Sequence, residues 1–146
     1  MSAQAHYKSL ENMYLAAPIN GFFPPEINIG EGQATVSLPV RPDYFHTAGS
    51  LHGSVYFKLL DDSAFFAANS LRDDVFVFTV EFTTTLKKPV TGGVITATGQ
   101  VDKVDGRKIF ASSTIRDEGG DIVAKGKGLF LPSRNKLLDI PAYKPD

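Results

Sequence analysis

The segment that decides the fold is GSVYFKLLDDSAFFAANSL, residues 53–71. It contains no proline, and apolar or small side chains occupy most positions around it. This pattern predicts one long helix that is largely buried, and such a helix needs a wide surface to cover it.

Upstream of this helix the sequence predicts a short helix over residues 5–17, which ends at Pro18 and leads into an irregular link. Residues 26–40 read as extended chain, because apolar and polar side chains alternate after the Gly-Glu-Gly turn at 30–32. In the short helix predicted over residues 5–17, the apolar side carries Tyr7, Leu10, Met13 and Tyr14.

Downstream, the pattern predicts four strands joined by glycine-containing turns, which are typical of hairpins. Their predicted ranges are 75–82, 94–104, 108–117 and 122–131. We expect Pro132 to end the last strand and the tail to residue 146 to be loosely held. The expected class is α+β, with one long central helix wrapped by a curved antiparallel sheet and a short N-terminal helix.

The composition narrows the possible functions. The 146 residues fit one domain, 1–146, in which 1–25 is the N-terminal helix and link and 132–146 the tail. A net charge of −1 gives no basic footprint for nucleic acid. There is no cysteine and no run of apolar residues long enough for a membrane span, so we expect a cytoplasmic protein without membrane or nucleic-acid partners.

Two adjacent carboxylates, Asp61 and Asp62, lie within the apolar helix. Either both are exposed, or one pairs with a lysine such as Lys58, or one is held against apolar walls and acts as a base. The histidines do not form a metal-ligand cluster, because His46 and His52 lie six residues apart in a loop and His6 is distant. We therefore expect neither a metal nor a cofactor.

The sequence around this pair resembles the hotdog-fold acyl-CoA thioesterases, of the phenylacetyl-CoA and 4-hydroxybenzoyl-CoA types. The resemblance rests on a His-Gly-small start, an Asp nine residues after the His, and a helix of small residues that ends near Asn. The matching positions are His52-Gly53-Ser54, Asp61, Ala64, Asn69-Ser70, Thr79-Val80-Glu81-Phe82, Lys88-Pro89-Val90, Gly106-Arg107-Lys108 and Gly120–Gly126.

The resemblance implies roles for individual residues in hydrolysis of an aryl- or medium-chain acyl-CoA. The N–H of Gly53 would hold the thioester oxyanion, Asp61 would be the base or nucleophile, and Thr79 would help to place the water. His46 stands where many relatives have Asn and could replace its hydrogen bond. The expected substrate-binding residues are His52, which also fixes its loop, with Ser54, Phe57, Phe82, Lys88 and Arg107.

Helix geometry adds a condition to these roles. Gly53 and Asp61 are eight residues apart, or about 12 Å along a helix, so one carbonyl cannot touch both in one chain. If both serve one reaction, they come from different subunits of a two-fold dimer. The resemblance further implies a tetramer. Asp62 lies about 100° around the helix from Asp61 and ranks below it as the base.

Two other functions remain open at this stage. A hydratase of acyl thioesters on the same fold is disfavoured, because its Asp-x-Asn-x-x-His pattern is absent. A non-catalytic acyl-CoA-binding sensor is the alternative of a different class, since fold alone does not fix function. Loss of hydrolysis in Asp61→Asn would separate an enzyme from such a binder.

Overall fold

A computed structural model describes residues 1–146 and places two helices against one six-stranded antiparallel sheet. Helix α1 spans Ala3–Leu15 and helix α2 spans Gly53–Asn69. The strands are β1 Glu26–Gly30, β2 Gln33–Pro39, β3 Val75–Leu86, β4 Val94–Asp105, β5 Lys108–Arg116 and β6 Ile122–Lys136. The sheet order is β1-β2-β4-β5-β6-β3, which leaves β1 and β3 at its edges.

Helix α2 is the centre of the core. It lies against all six strands, and most of its side chains are buried, as its apolar sequence predicts. The helix backbone approaches the sheet closely at Gly99 of β4, where an added Cβ would lie 2.2 Å from the Ser63 carbonyl oxygen. Any side chain at this position would therefore push the helix away from the sheet. The expected α+β arrangement is confirmed.

The two ends of the chain meet beside the C-terminal end of α2. The buried ring of His6 donates from Nε2 to the backbone carbonyl of Asn69 at 3.1 Å and accepts at Nδ1 from the hydroxyl of Tyr143. The side-chain amide of Asn12 donates to the carbonyl of Lys144 at 2.8 Å. Leu137 is completely buried. The expectation of a loosely held tail is therefore wrong.

The end of the last strand also differs from the expectation. Strand β6 continues past Pro132 to Lys136, and Pro132 itself pairs with Val77 of β3. A proline lacks a donor but keeps its carbonyl, so it is tolerated at an irregular point of a ladder. The pairing is irregular there, since the register shifts between Val75 and Val77.

Candidate active site

A cavity of about 840 Å³ lies along the side of α2 that the sheet does not cover. Its other walls come from α1, the link after it, Phe76 of β3 and residues 140–142. The α2 side chains that line it lie at helical spacing, and they are Ser54, Phe57, Lys58, Asp61, Asp62, Phe65 and Phe66. The lining is mostly apolar, so charged groups that reach it are held away from water.

Asp61 is fixed in this cavity by one neutral partner. The hydroxyl of Thr79 donates to its Oδ1 at 2.9 Å, while Oδ2 makes no hydrogen bond within the chain. Burial raises the pKa of Asp61 to about 6; the Thr79 hydrogen bond opposes the rise, the Asp62 charge adds to it and Lys58 opposes it. A carboxylate that is reluctant to ionise but has a free oxygen is suited to accept a proton.

Thr79 reaches Asp61 because β3 carries a bulge. The register against β6 shifts between Thr79 and Glu81, so Val80 is an extra residue. A bulge changes which side chains point to one face. As a result Thr79 and Phe82, three positions apart, both face α2, where Phe82 meets the ring of Phe57 at 5.6 Å between centroids.

Asp62 has a different environment one residue further along. Its Oδ2 accepts from the Lys58 ammonium at 2.6 Å and from the Tyr14 hydroxyl at 2.6 Å. The same ammonium donates to the side-chain oxygen of Asn20 at 2.7 Å. Burial, and after it the Asp62 carboxylate, raise the pKa of Tyr14. Asp62 is thus the carboxylate paired with lysine, one of the alternatives open from the sequence.

The N-terminus of α2 presents unpaired backbone donors, as every helix start does. His52 is the N-cap residue, and its Nδ1 accepts from the N–H of Ser54 at 3.1 Å. The N–H of Gly53, which precedes the capped one, has no partner within the helix. His52 therefore fixes the start of the helix, as the sequence suggested, and Ser54 lies both in this cap and in the cavity wall.

Phe82 lies in a recess made by two glycines of β6. A Cβ added at Gly126 or Gly128 would come within 2.5 Å or 2.6 Å of its ring. Phe57, which contacts this ring, keeps 43% of its surface exposed and also lines the cavity. The two aromatic residues predicted for the acyl side therefore meet, but only Phe57 reaches the cavity.

His46 does not reach the cavity. It lies in the exposed loop before α2, where its Nδ1 accepts from the N–H of Ala48 at 3.0 Å. Its Nε2 therefore carries the proton and donates to the Ser50 hydroxyl at 2.9 Å. Both ring nitrogens are engaged within the loop, so this structure offers no free donor at His46 for a substrate carbonyl.

Lys88 and Arg107, the cations predicted to bind the nucleotide, lie far apart. The Lys88 ammonium contacts Asp117 at 3.0 Å and Asp121 at 2.8 Å, just after β5. Arg107 precedes β5 and lies beside Pro132 at 3.4 Å. A nine-residue strand separates them by roughly 25–30 Å, so one chain cannot bring both to one nucleotide.

Lys88 lies at the same end of the fold as the α2 N-terminus. The hydroxyl of Tyr56, in the first turn of α2, donates to the Lys88 carbonyl at 2.9 Å. Pro132, beside Arg107, pairs with β3 at Val77, whose N–H bonds the side chain of Asn69 at the other end of α2. The two cations therefore flank opposite ends of the helix.

Sequence reasoning missed the wall opposite α2, which includes Tyr14, Asn20, Phe23 and residues 140–142. The pattern places Tyr14 on the apolar side of α1, but its contact with Asp62 spans 48 positions and leaves no local signal. Only the four-residue spacing of Lys58 and Asp62 indicated part of this cluster. The structure assembles no group of three or more side chains suited to hold a metal ion.

No helix has the length and apolar character needed to cross a membrane. Comparison with known proteins identifies relatives of this architecture. The model of the Thioesterase superfamily matches residues 48–124, which is more than half of the chain. A candidate esterase of Saccharolobus solfataricus is 26% identical over 111 residues, 76% of this chain and 79% of that protein.

Solved structures agree with this match. The E. coli PaaI protein from the phenylacetic acid degradation operon superposes with a TM-score of 0.80 at 23% identity, covering 90% of this chain and 98% of that one. AziG of S. sahachiroi gives a TM-score of 0.75 at 25% identity, covering 81% and 98%. The chain belongs to the Thioesterase superfamily: it has the hotdog fold and is a hydrolase that acts on thioesters.

Proposed function

We propose that the protein is an acyl-CoA thioesterase in which Asp61 is the base or nucleophile and the N-terminus of α2 holds the oxyanion. One observation carries the proposal: Asp61 has a free Oδ2, a neutral hydrogen-bond partner and a pKa near 6 beside an apolar cavity. At neutral pH such a group is ionised yet still basic enough to take a proton. Asp62 differs, because its nearest partner is a cation, the Lys58 ammonium at 2.6 Å.

The proposed chemistry needs a second group next to the carbonyl. Ionised Asp61 takes a proton from water as the water oxygen attacks the thioester carbon, or attacks that carbon itself. Negative charge then builds on the carbonyl oxygen and is stabilised by the N–H of Gly53 and the positive end of the α2 dipole. The carbonyl reforms as the C–S bond breaks, and CoA leaves as the thiolate, which then takes up a proton. In the base route this step gives the free acid directly; in the nucleophile route the acyl group stays on Asp61 as a mixed anhydride, which water then hydrolyses to the acid and the Asp61 carboxylate.

This scheme requires a dimer. About 12 Å of helix separates Gly53 from Asp61, so each site would combine Gly53 of one subunit with Asp61 of the other. Strand β3 supports such pairing, because it is a 12-residue edge strand with exposed Phe78 and Val80. An unpaired apolar edge of this length is a surface that a second copy can cover. A tetramer of two such dimers remains a prediction.

The dimer would also bring the two distant cations to one site. Lys88 lies at the Gly53 end of α2, and Arg107 lies near the opposite end, beyond Asp61. In the composite site Lys88 comes from the subunit that supplies Gly53, and Arg107 from the one that supplies Asp61. Either could then contact the phosphates of CoA. A cytoplasmic location stays a prediction of the sequence.

The test is release of free thiol from a panel of aryl- and fatty-acyl-CoA esters. We compare wild type with Asp61→Asn and use Asp62→Asn as the matched control, since it makes the same chemical change one residue away. Turnover that is lost in Asp61→Asn but measurable in Asp62→Asn supports the proposal. Equal loss in both variants contradicts the assignment of the base. Tight binding of an ester without release would instead leave a non-catalytic acyl-CoA binder.

The dimer requirement has its own test. Inactive Asp61→Asn and a variant with a blocked α2 N-terminus, Gly53→Pro, are mixed and allowed to exchange subunits. Proline removes the N–H that the scheme requires but is tolerated at the first position of a helix. A mixed dimer of these variants holds one intact composite site, so activity should return on mixing. Activity that stays absent after confirmed subunit exchange would contradict the shared site.

A further inference from the structure

The cavity beside Asp61 is built largely by the ends of the chain. The residues proposed for the chemistry lie within 48–124, the part that matches the family model. More than half of the cavity lining lies outside it, in residues 13–23 and 140–142. The terminal segments therefore shape the space beside Asp61 without supplying a reacting group.

We propose that these terminal segments make the cavity a pocket for an uncharged, apolar acyl group, and that the Lys58–Asp62 pair excludes acyl groups ending in a carboxylate. This inference rests on the proposed thioesterase function and names the substrate class of the same site. Three features of the cavity support it: the charge of its lining, the anchoring of its wall and the room that the wall leaves.

The acidic and basic side chains of the lining are Lys58, Asp61 and Asp62. Lys58 directs its ammonium to Asp62 at 2.6 Å, to the Asn20 side-chain oxygen at 2.7 Å and to the Tyr14 hydroxyl at 3.4 Å. All three of its protons therefore have acceptors in the chain. A carboxylate at the end of an acyl group would be desolvated in this cavity. No unpaired cation of the lining could bind it, and the net negative charge of the lining would repel it.

The wall that carries this charge arrangement is held in place. Tyr14 and Asn20 bind the α1 segment to α2 through Asp62 and Lys58. At the other end of the wall, His6 joins the Tyr143 side chain to the end of α2. Because both segments are tied to α2, the cavity keeps a defined size.

Three small side chains in this wall leave room in the cavity. Ala16 and Ala17 follow α1, Ala142 lies in the tail, and all three line the cavity. A larger residue at Ala17 would occupy space that a long acyl chain needs and a short one does not. Ala17 is partly exposed, so a leucine there can be accommodated without entering the main core.

The exclusion of acyl groups that end in a carboxylate is tested with butyryl-CoA and succinyl-CoA. Both have four-carbon acyl groups, and only the succinyl group ends in a carboxylate. We expect wild type to favour butyryl-CoA in kcat/KM by about a hundredfold or more. Asp62→Asn frees the Lys58 ammonium while an amide oxygen still accepts from Tyr14, so the ratio should fall about tenfold. The control is Asp74→Asn, which removes a carboxylate from an exposed ion pair with Arg72 and should leave the ratio unchanged.

The limit that the wall sets on acyl-chain length is tested in Ala17→Leu with acetyl-, hexanoyl- and decanoyl-CoA. We expect kcat/KM for the decanoyl ester to fall about tenfold relative to the acetyl ester, as for overfilled apolar pockets. The control is Ala3→Leu, an exposed alanine of α1 outside the cavity. Ile19→Ala, a truncation of an exposed lining residue, should shift the preference towards longer chains.

The outcomes separate this inference from the function on which it rests. If wild type releases CoA neither from these esters nor from any ester of the aryl- and fatty-acyl panel, the proposed function fails; if it cleaves aryl esters alone, the thioesterase stands and the inference of an alkyl acyl pocket is overturned. If it cleaves them but treats succinyl- and butyryl-CoA alike, or if Asp62→Asn and Ala17→Leu leave both ratios at wild-type values, the thioesterase stands and the selectivity inference is overturned.

Discussion

Asp61 and Asp62 are neighbours in sequence but face two different regions of the molecule. Asp61 faces the bulged part of β3, where a threonine hydroxyl is its only hydrogen-bond partner. Asp62 faces α1, where it binds a lysine ammonium and a tyrosine hydroxyl. A turn of about 100° around the helix separates the two regions.

The comparison shows that the side chain bound to each carboxylate, rather than the residue type or the helix, sets its chemistry. A neutral partner in a buried site leaves the pKa of Asp61 raised to about 6. A cation at 2.6 Å gives Asp62 a charge partner and makes it part of the packing between α1 and α2. The same side chain is thus a candidate base on one side and a structural anchor on the other.

The largest expected effect separates the two carboxylates by activity. Asp61→Asn should lower kcat for hydrolysis of the best acyl-CoA ester by about a thousandfold, since general bases contribute roughly 10²–10⁴. Asp62→Asn should lower it by no more than about tenfold, because it changes the anchor and the charge nearby. Thiol-release kinetics on both purified variants measure the difference. Similar losses would mean that the two regions are not distinct in function.

The second effect is on the free energy of unfolding: the Asp61→Asn substitution that lowers activity should raise stability. The pKa of Asp61 is higher in the folded chain than its usual 3.8, so unfolded chains release the proton first and stability falls as pH rises from about 4 to about 6. At about 1.4 kcal/mol per pKa unit, ionised Asp61 costs up to about 3 kcal/mol at pH 7. Asp61→Asn should therefore stabilise the protein at pH 7, by an amount that shrinks towards zero near pH 4.

Urea denaturation of wild type and Asp61→Asn at pH 7 and pH 4.5 measures this directly. The rate of thioester hydrolysis should follow the reverse course, rising with pH through about 6 as Asp61 ionises. An Asp61→Asn variant that is less stable than wild type at pH 7 would show that ionised Asp61 does not destabilise the folded protein. The contrast with Asp62 would then lose its basis.

The third effect concerns the partner of Asp61. Thr79→Val removes the hydroxyl that lowers the pKa of Asp61, so the pH midpoint of activity should move upward and the rate at pH 7 should fall about tenfold. Thr83→Val is the matched control, because Thr83 lies on the same strand but is exposed. An unmoved pH midpoint in Thr79→Val would mean that this hydrogen bond does not tune the base.

The sequence predicts the central part of this arrangement well, because its signals are local. The apolar pattern of residues 53–71 predicts α2, and alternation with glycine turns predicts the strands. The resemblance to the hotdog thioesterases implies Asp61, Gly53 and Thr79 as candidates, although it does not show the bulge at Val80 that turns Thr79 towards Asp61. A bulge depends on the pairing of two strands and leaves little trace in either one alone.

The terminal parts were predicted less well, for a physical reason. The contacts of His6 with Tyr143 and of Tyr14 with Asp62 join residues 137 and 48 positions apart. Such contacts depend on how the termini fold back over α2, which the hydrophobic periodicity of the sequence does not predict. The predicted role of His46 stays a prediction; in this chain its own loop engages both ring nitrogens.

The smallest expected effect tests the anchoring side alone. Tyr14→Phe removes one hydroxyl but keeps the ring that packs edge-to-face on Phe66 at 5.0 Å. Asp62 retains its ion pair with Lys58, so the loss should be about 1 kcal/mol in the free energy of unfolding, typical of one hydrogen bond. The pH midpoint of hydrolysis should stay near that of wild type, because the hydroxyl does not touch Asp61. Denaturation and a pH–rate profile on the same preparation measure both quantities. A shifted midpoint would show that α1 controls the basicity of Asp61, and the two sides of the helix would then be one coupled site.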